Sequence, residues 1–176
     1  VADPVEHLLA DKTLSGDQHR MLMLIQRNVN ILLRLVNQIL DFRKIQNHKM
    51  KLCIEQIDIV AFVHKIMENF ESIAESNKID FIFETEQPKL KLWVDADKVE
   101  KIVFNLLSNA FKYTKEGSIT LGYKVREDDI YFYVQDTGAG IPAGKVDKVF
   151  ERFMKLDAKK QGTGLGLSIS RTIIKK

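Results

Sequence analysis

Cysteine, one-sided charge and long apolar runs are all scarce in this sequence of 176 residues. The single cysteine, Cys53, cannot close an internal disulfide, and no Cys/His group has the spacing of a zinc site. Between Leu52 and Ile54, Cys53 reads as a small buried apolar residue in a strand rather than a reactive thiol. Lys and Arg number 27 against 24 Asp and Glu, a net charge of +3, and the basic residues are scattered apart from Lys175 and Lys176. Charge alone therefore gives no reason to expect nucleic-acid binding. No apolar run reaches the roughly 18 residues of a membrane span, and no signal peptide is evident. The expectation is a cytoplasmic segment without membrane contact of its own, compatible with a parent protein anchored in the inner membrane elsewhere.

The chain is 45% hydrophobic, enough for one modest core plus a helical appendage. Leu22, Ile25, Val29, Leu32, Val36 and Ile39 recur at alternating spacings of three and four, a heptad-like seam. Leu24, Leu33, Leu35 and Leu40 widen the apolar face beyond that of a two-stranded zipper and point to a bundle. A short helix near residues 5–9 and a polar turn over 11–17 precede the seam, so a helical hairpin with a stunted first arm is expected. The seam ends near Ile45, and residues 46–49 read as a polar hinge.

The pattern then changes. Leu52, Ile54 and Ile59 flank a strand-like segment, and residues 59–73 read as an amphipathic helix. Residues 79–83 and 90–94 read as strands. Residues 97–113 read as a helix with Val99, Ile102, Val103, Leu106, Leu107 and Ala110 on its buried side. A hairpin of 118–125 and 130–135, turned at 127–129, is followed by a glycine-rich region and a final helix from Leu165. Strict βαβ alternation is absent. The predicted fold class is α+β: a helical hairpin over residues 1–48, then a two-layer α/β sandwich with a mixed sheet over residues 49–176.

Four clusters carry chemistry. Asn105, Asn109 and Lys112 share one helix face, offering neutral oxygens suited to Mg²⁺ that is also held by phosphates, and a cation for those phosphates. Asp136-Thr-Gly138-Ala-Gly140 ends a strand with a carboxylate, expected to be buried, that can accept a hydrogen bond from an amino group such as that of adenine. In Phe150-Glu-Arg152-Phe153 the aromatics read as core plugs, and Arg152 is within possible reach of a γ-phosphate. Gly162-Thr-Gly164-Leu-Gly166-Leu167-Ser168 runs into a helix, so free backbone N–H groups and the helix dipole favour phosphate there. The polar stretch 155–161 before it reads as a mobile lid. A Walker A loop and a Rossmann glycine pattern are both absent.

These clusters, in this order, resemble the N, G1, F and G2 boxes of sensor histidine kinases in the GHKL ATPase superfamily. Residues 28–44 resemble the second helix of the kinases' dimerisation and phosphotransfer hairpin. The resemblance covers nearly the whole chain and implies ATP and Mg²⁺ as ligands. It implies that Asn109 coordinates Mg²⁺ with Asn105 lining the same site, that Lys112 contacts phosphate, and that Tyr113 borders the nucleotide. Asp136 would bind the adenine amino group with room given by Gly138 and Gly140. Gly162, Gly164, Gly166 and Leu167 would shape the phosphate loop, and Arg152 would assist catalysis. The implied partners are a second copy through the hairpin and a response-regulator receiver domain, separate or on the same parent chain.

Two departures qualify this picture. The superfamily's hydrolases place a Glu where this chain has Asn105, and an Asn cannot serve as general base toward water, which favours transfer to a protein nucleophile. The family's phosphorylated His sits before a Glu and ahead of a Pro, and none of His7, His19, His48 and His64 has that context. The chain is therefore expected to begin after the acceptor histidine and to stop short of further sheet strands, and not to autophosphorylate. A dimerising, nucleotide-responsive regulatory module without kinase activity is the alternative.

Overall fold

The computed structural model describes residues 15–47, 50–127, 129–157 and 162–175. The chain divides into two compact units, Val1–Met50 and Lys51–Lys176.

In the first unit, helix α1 spans Gly16–Gln46. A capping box sets its start. Ser15 Oγ accepts from the Gln18 N–H at 3.3 Å, and Gln18 Oε1 accepts from the Ser15 N–H at 2.9 Å. Gly16 and Asp17 are thus helical and not part of the expected turn, and Asp17 adds a favourable negative charge to the first turn. The expected first arm of the hairpin, His7, His48 and Lys49 lie outside the described residues. Along the seam, Ile25 is 43% exposed, Leu32 61%, Val36 51% and Ile39 51%, so the described residues of a single chain leave the apolar stripe uncovered.

In the second unit the elements run β1 (Glu55–Asp58), α2 (Ile59–Asn77), β2 (Ile79–Glu84), β3 (Lys91–Val94), α3 (Ala96–Tyr113), β4 (Gly117–Val125), β5 (Ile130–Asp136) and α4 (Gly166–Ile174), with short 3₁₀ turns at Ala143–Lys145 and Lys148–Phe150. Strands β2, β4 and β5 form one mixed sheet in that order. β2 pairs parallel to β4 (Ile79 opposite Gly117), and β4 pairs antiparallel to β5 (Ile119 opposite Asp136). β1 and β3 make a separate antiparallel pair, so the strands form two sheets rather than one.

Side-chain caps and apolar periodicity fix the helices. The Asp58 side chain accepts from the Val60 N–H at 3.2 Å and starts α2. The helix runs past residue 73 because Ala74 continues the stripe one turn after Phe70. It stops at Lys78, whose left-handed backbone (φ 54°) turns its N–H onto the carbonyls of Ala74 and Glu75. The core joins Val63, Ile66, Met67 and Phe70 of α2 to Val103, Leu107 and Ala110 of α3 and to Ile119, Leu121 and Tyr123 of β4. Phe111 of α3 stacks on Phe70 at 5.3 Å and meets Phe81 of β2 edge-on at 5.1 Å.

Helix α3 is apolar on two sides. Ile102 and Leu106, expected on the buried side of the helix, are half-buried and line an open groove of about 310 Å³ with Phe150, Leu167 and Ile174. Cys53 is exposed and precedes β1, not buried within a strand, because strand pairing starts only at Glu55. The aromatic plugs are also corrected: Phe150 is 38% exposed and Phe153 65%.

Candidate functional site

The glycine region and helix α3 meet at the start of α4. Asn105 Nδ2 donates to the Gly166 carbonyl at 3.3 Å and to Ser170 Oγ at 3.2 Å. Both donors of the amide are directed at α4, which fixes the orientation of the Asn105 side chain. One turn further along, Asn109 is half-buried on the same helix face. Lys112, in the last turn, has its Nζ 5.2 Å from the centre of the Tyr113 ring. A Cβ built on Gly162 would lie 3.2 Å from that Nζ, so the lysine reaches the glycine loop. Burial, and then the neighbouring Lys155, hold the Lys112 ammonium below its ordinary pKa, and Asp157 partly offsets them.

The loop leading into α4 presents backbone. No side chain caps the helix at Leu165, although Thr163 Oγ1 accepts from the Leu165 N–H at 3.2 Å. The helix dipole favours an anion at such a start. Gly164 is required by close approach as well as by its φ of +72°, since a Cβ there would lie 2.6 Å from the Phe153 carbonyl carbon and 2.7 Å from the Met154 oxygen. That contact joins the two ends of the segment expected to be a lid, of which residues 158–161 lie outside the described residues.

At the end of β5 the chain turns against the end of α3. Asp136 Oδ1 accepts from the Gly138 N–H at 2.9 Å and from Thr114 Oγ1 at 3.4 Å. Asp136 is exposed, a correction to the expectation of a buried carboxylate, because β5 ends at this residue and the loop beyond does not cover it. Its Oδ1 is committed to the turn. A Cβ on Gly138 would stand 2.6 Å from the Tyr113 carbonyl oxygen and 2.9 Å from Thr114 Oγ1. Gly140 stands in open space with φ +67°. Arg152 is exposed on the turn after Lys148–Phe150, and the Leu167 side chain lies in the apolar groove.

The fold thus brings Asn105 to Gly166, Lys112 to Gly162, and Asp136 to Gly138 beside Tyr113. Three polar contributors escaped sequence reasoning. Thr114 is 3% exposed and bonded to Asp136, Ser170 is 3% exposed and bonded to Asn105, and Thr137 Oγ1 accepts from the Ser118 N–H at 2.9 Å and so ties β5 to β4. Nothing in local spacing marks these residues, since each partner lies 19 or more positions away.

Residues 94–176 match the model of the histidine kinase-, DNA gyrase B- and HSP90-like ATPase family. The chain carries a histidine-kinase ATPase domain. A histidine kinase of Formosa agariphila is 33% identical over 181 residues, covering 98% of this chain and 13% of that protein. The sensor histidine kinase WalK of Bacillus subtilis is 36% identical over 162 residues, covering 88% of this chain and 26% of its own length. Among solved structures, full-length ShkA in complex with AMPPNP matches with a TM-score of 0.77 at 26% identity, covering 94% of this chain and 35% of that one. The chain therefore spans about an eighth to a quarter of the length of these curated relatives. The α+β sandwich with a mixed sheet is the architecture of this family, and ATP is the ligand class that the family supports. Among the described residues no helix is long and apolar enough to cross a membrane.

Proposed function

We propose that this chain is the catalytic core of a sensor histidine kinase, which binds Mg·ATP and directs the γ-phosphoryl group to a histidine outside the chain. The carrying observation is the meeting of α3, with its Asn105, Asn109 and Lys112, and the glycine loop at the uncapped start of α4. The Asp136 carboxylate would receive the adenine amino group, with Tyr113 bordering the base. The loop amides of Gly162, Gly164 and Gly166, and Leu167 through its backbone N–H, would hold phosphates. Lys112 would neutralise them from α3, and Arg152 would approach the γ-phosphate from the turn.

The donor set fits a magnesium ion shared with nucleotide. Among the described residues no group of three His, Cys, Asp or Glu could hold a metal alone, so Asn109 would supply one amide oxygen and the phosphates the rest. Bound there, the ion would offset charge developing on the phosphate oxygens. A histidine ring nitrogen would form the new P–N bond as the bond to the ADP oxygen breaks. Asn105 supports transfer over hydrolysis, because a neutral side-chain amide is too weak a base to take a proton from water.

The partners proposed are a second copy through α1 and a receiver domain that accepts the phosphoryl group from the histidine. Calorimetric titration with a non-hydrolysable ATP analogue, with and without Mg²⁺, tests the site. Magnesium-dependent binding at one site per chain is expected, with at least tenfold loss in Asn109→Ala. Binding indifferent to both Mg²⁺ and that substitution would favour a regulatory module instead. No acid-labile phosphohistidine is expected on this chain after incubation with Mg·ATP.

A further inference from the structure

Asp95 is a buried carboxylate outside the nucleotide site, at the junction of β3 and α3. Its side chain is only 5% exposed. Oδ1 caps α3 by accepting from the Lys98 N–H at 3.1 Å. Oδ2 accepts from the Cys53 N–H at 2.8 Å, 42 positions earlier in the chain, with Lys98 Nζ at 3.8 Å. One carboxylate therefore holds two separate stretches of backbone: the first turn of α3, and the segment leading into β1. Leu52 and Ile54, on either side of Cys53, are 44% and 52% exposed, so apolar burial does little to hold that segment in place. A buried, charge-assisted bond is the strong contact available to it.

We infer that Asp95 is a positioning residue for the nucleotide site, fixing α3 to segment 51–54 so that the state of that segment sets the affinity for nucleotide. An α-helix rises about 1.5 Å per residue and is stiff along its axis, so Asn105 and Asn109 ride roughly 15 and 21 Å from the cap on one rod. The far part of the rod meets α4 through Asn105, with contacts of 3.2 and 3.3 Å that a small axial shift would lengthen beyond hydrogen-bonding range. In sequence, Cys53 follows the last residue of α1, Gln46, by seven positions. Segment 51–54 is thus the first stretch of the second unit in chain order.

The inference rests on the nucleotide reading above, and the test separates the two. Asp95→Ser keeps a good helix cap but is too short to hold Cys53 as well. In the whole chain, Asp95→Ser should weaken binding of the Mg²⁺-loaded ATP analogue about five- to tenfold, a normal size for coupling between sites, with the unfolding midpoint near that of the unsubstituted protein. Coupling is reciprocal, so in the unsubstituted protein saturating analogue should slow hydrogen exchange at the Cys53 amide, a response that a purely structural cap would not give. This second measurement needs no variant and decides the matter even where Asp95→Ser fails to fold. Unchanged affinity in Asp95→Ser, or a Cys53 amide indifferent to the analogue while Asn109→Ala abolishes binding, overturns the inference alone. Binding insensitive to Asn109→Ala overturns the nucleotide reading beneath it.

Discussion

Gly138 has no space for a side chain: three oxygen atoms, of Tyr113, Asp136 and Thr114, lie 2.6 to 2.9 Å from where a Cβ would stand. Gly138→Ala must push the Asp136 turn off the end of α3, a steric cost of about 1–3 kcal/mol in folding stability. Loss of analogue binding in the calorimeter should accompany it. Gly140 is the contrasting case, with open space but φ +67°. Gly140→Ala should cost about 1–2 kcal/mol in folding stability through backbone strain alone, measured by chemical denaturation. Lys112 yields a prediction in pH. Its folded-state pKa lies below the ordinary lysine value of 10.5, so its charged form is disfavoured in the folded chain and is lost earlier as pH rises. Nucleotide affinity should begin to fall on the alkaline side before 10.5 is reached, and Lys112→Met should bind weakly with a flatter profile. An unchanged pH profile in that variant would remove Lys112 from the phosphate site.

Helix α3 is the element on which the site depends, because one face enters the core and another meets α4. Leu107 is fully buried against α2 and the sheet. Leu107→Ala should destabilise the second unit by about 2–5 kcal/mol, measured by chemical denaturation. On the other flank, Ser170→Ala removes one of the two acceptors for Asn105 Nδ2. A loss of about 1 kcal/mol is expected, with faster amide exchange confined to the first turns of α4. Uniform acceleration across the unit would show that the Asn105–Ser170 bond does not act locally. Sequence spacing placed Asn105, Asn109 and Lys112 on a common face, but it could not rank Ile102 and Leu106 against Val103 and Leu107. A helix apolar on two sides gives one periodic signal for both.

At the scale of the whole molecule, α1 and the nucleotide unit answer to different forces. Among the described residues the stripe of Ile25, Leu32, Val36 and Ile39 is left largely exposed, and it is long enough for a bundle with a second copy. Sedimentation should show a concentration-dependent dimer, and Ile25→Asp with Val36→Asp should give a monomer whose second unit unfolds at an unchanged midpoint. A double variant that remains dimeric would place the interface elsewhere.

The sequence by itself determined the order and type of most elements, since the apolar periods of α2, α3 and β4 are local signals, whereas the start of α1 at the Ser15–Gln18 capping box reads as turn in the sequence. It also determined the family, because four short clusters in a fixed order are readable without knowing where they meet. Tertiary structure alone decided how the polar atoms are paired. Asp136 is exposed with one oxygen already spent on its own turn, Asn105 has both donors spent on α4, and Asp95 holds a backbone stretch 42 residues away. The reason is physical: a hydrogen-bond donor or acceptor is allotted by proximity in space, and spacing along the chain carries no record of it.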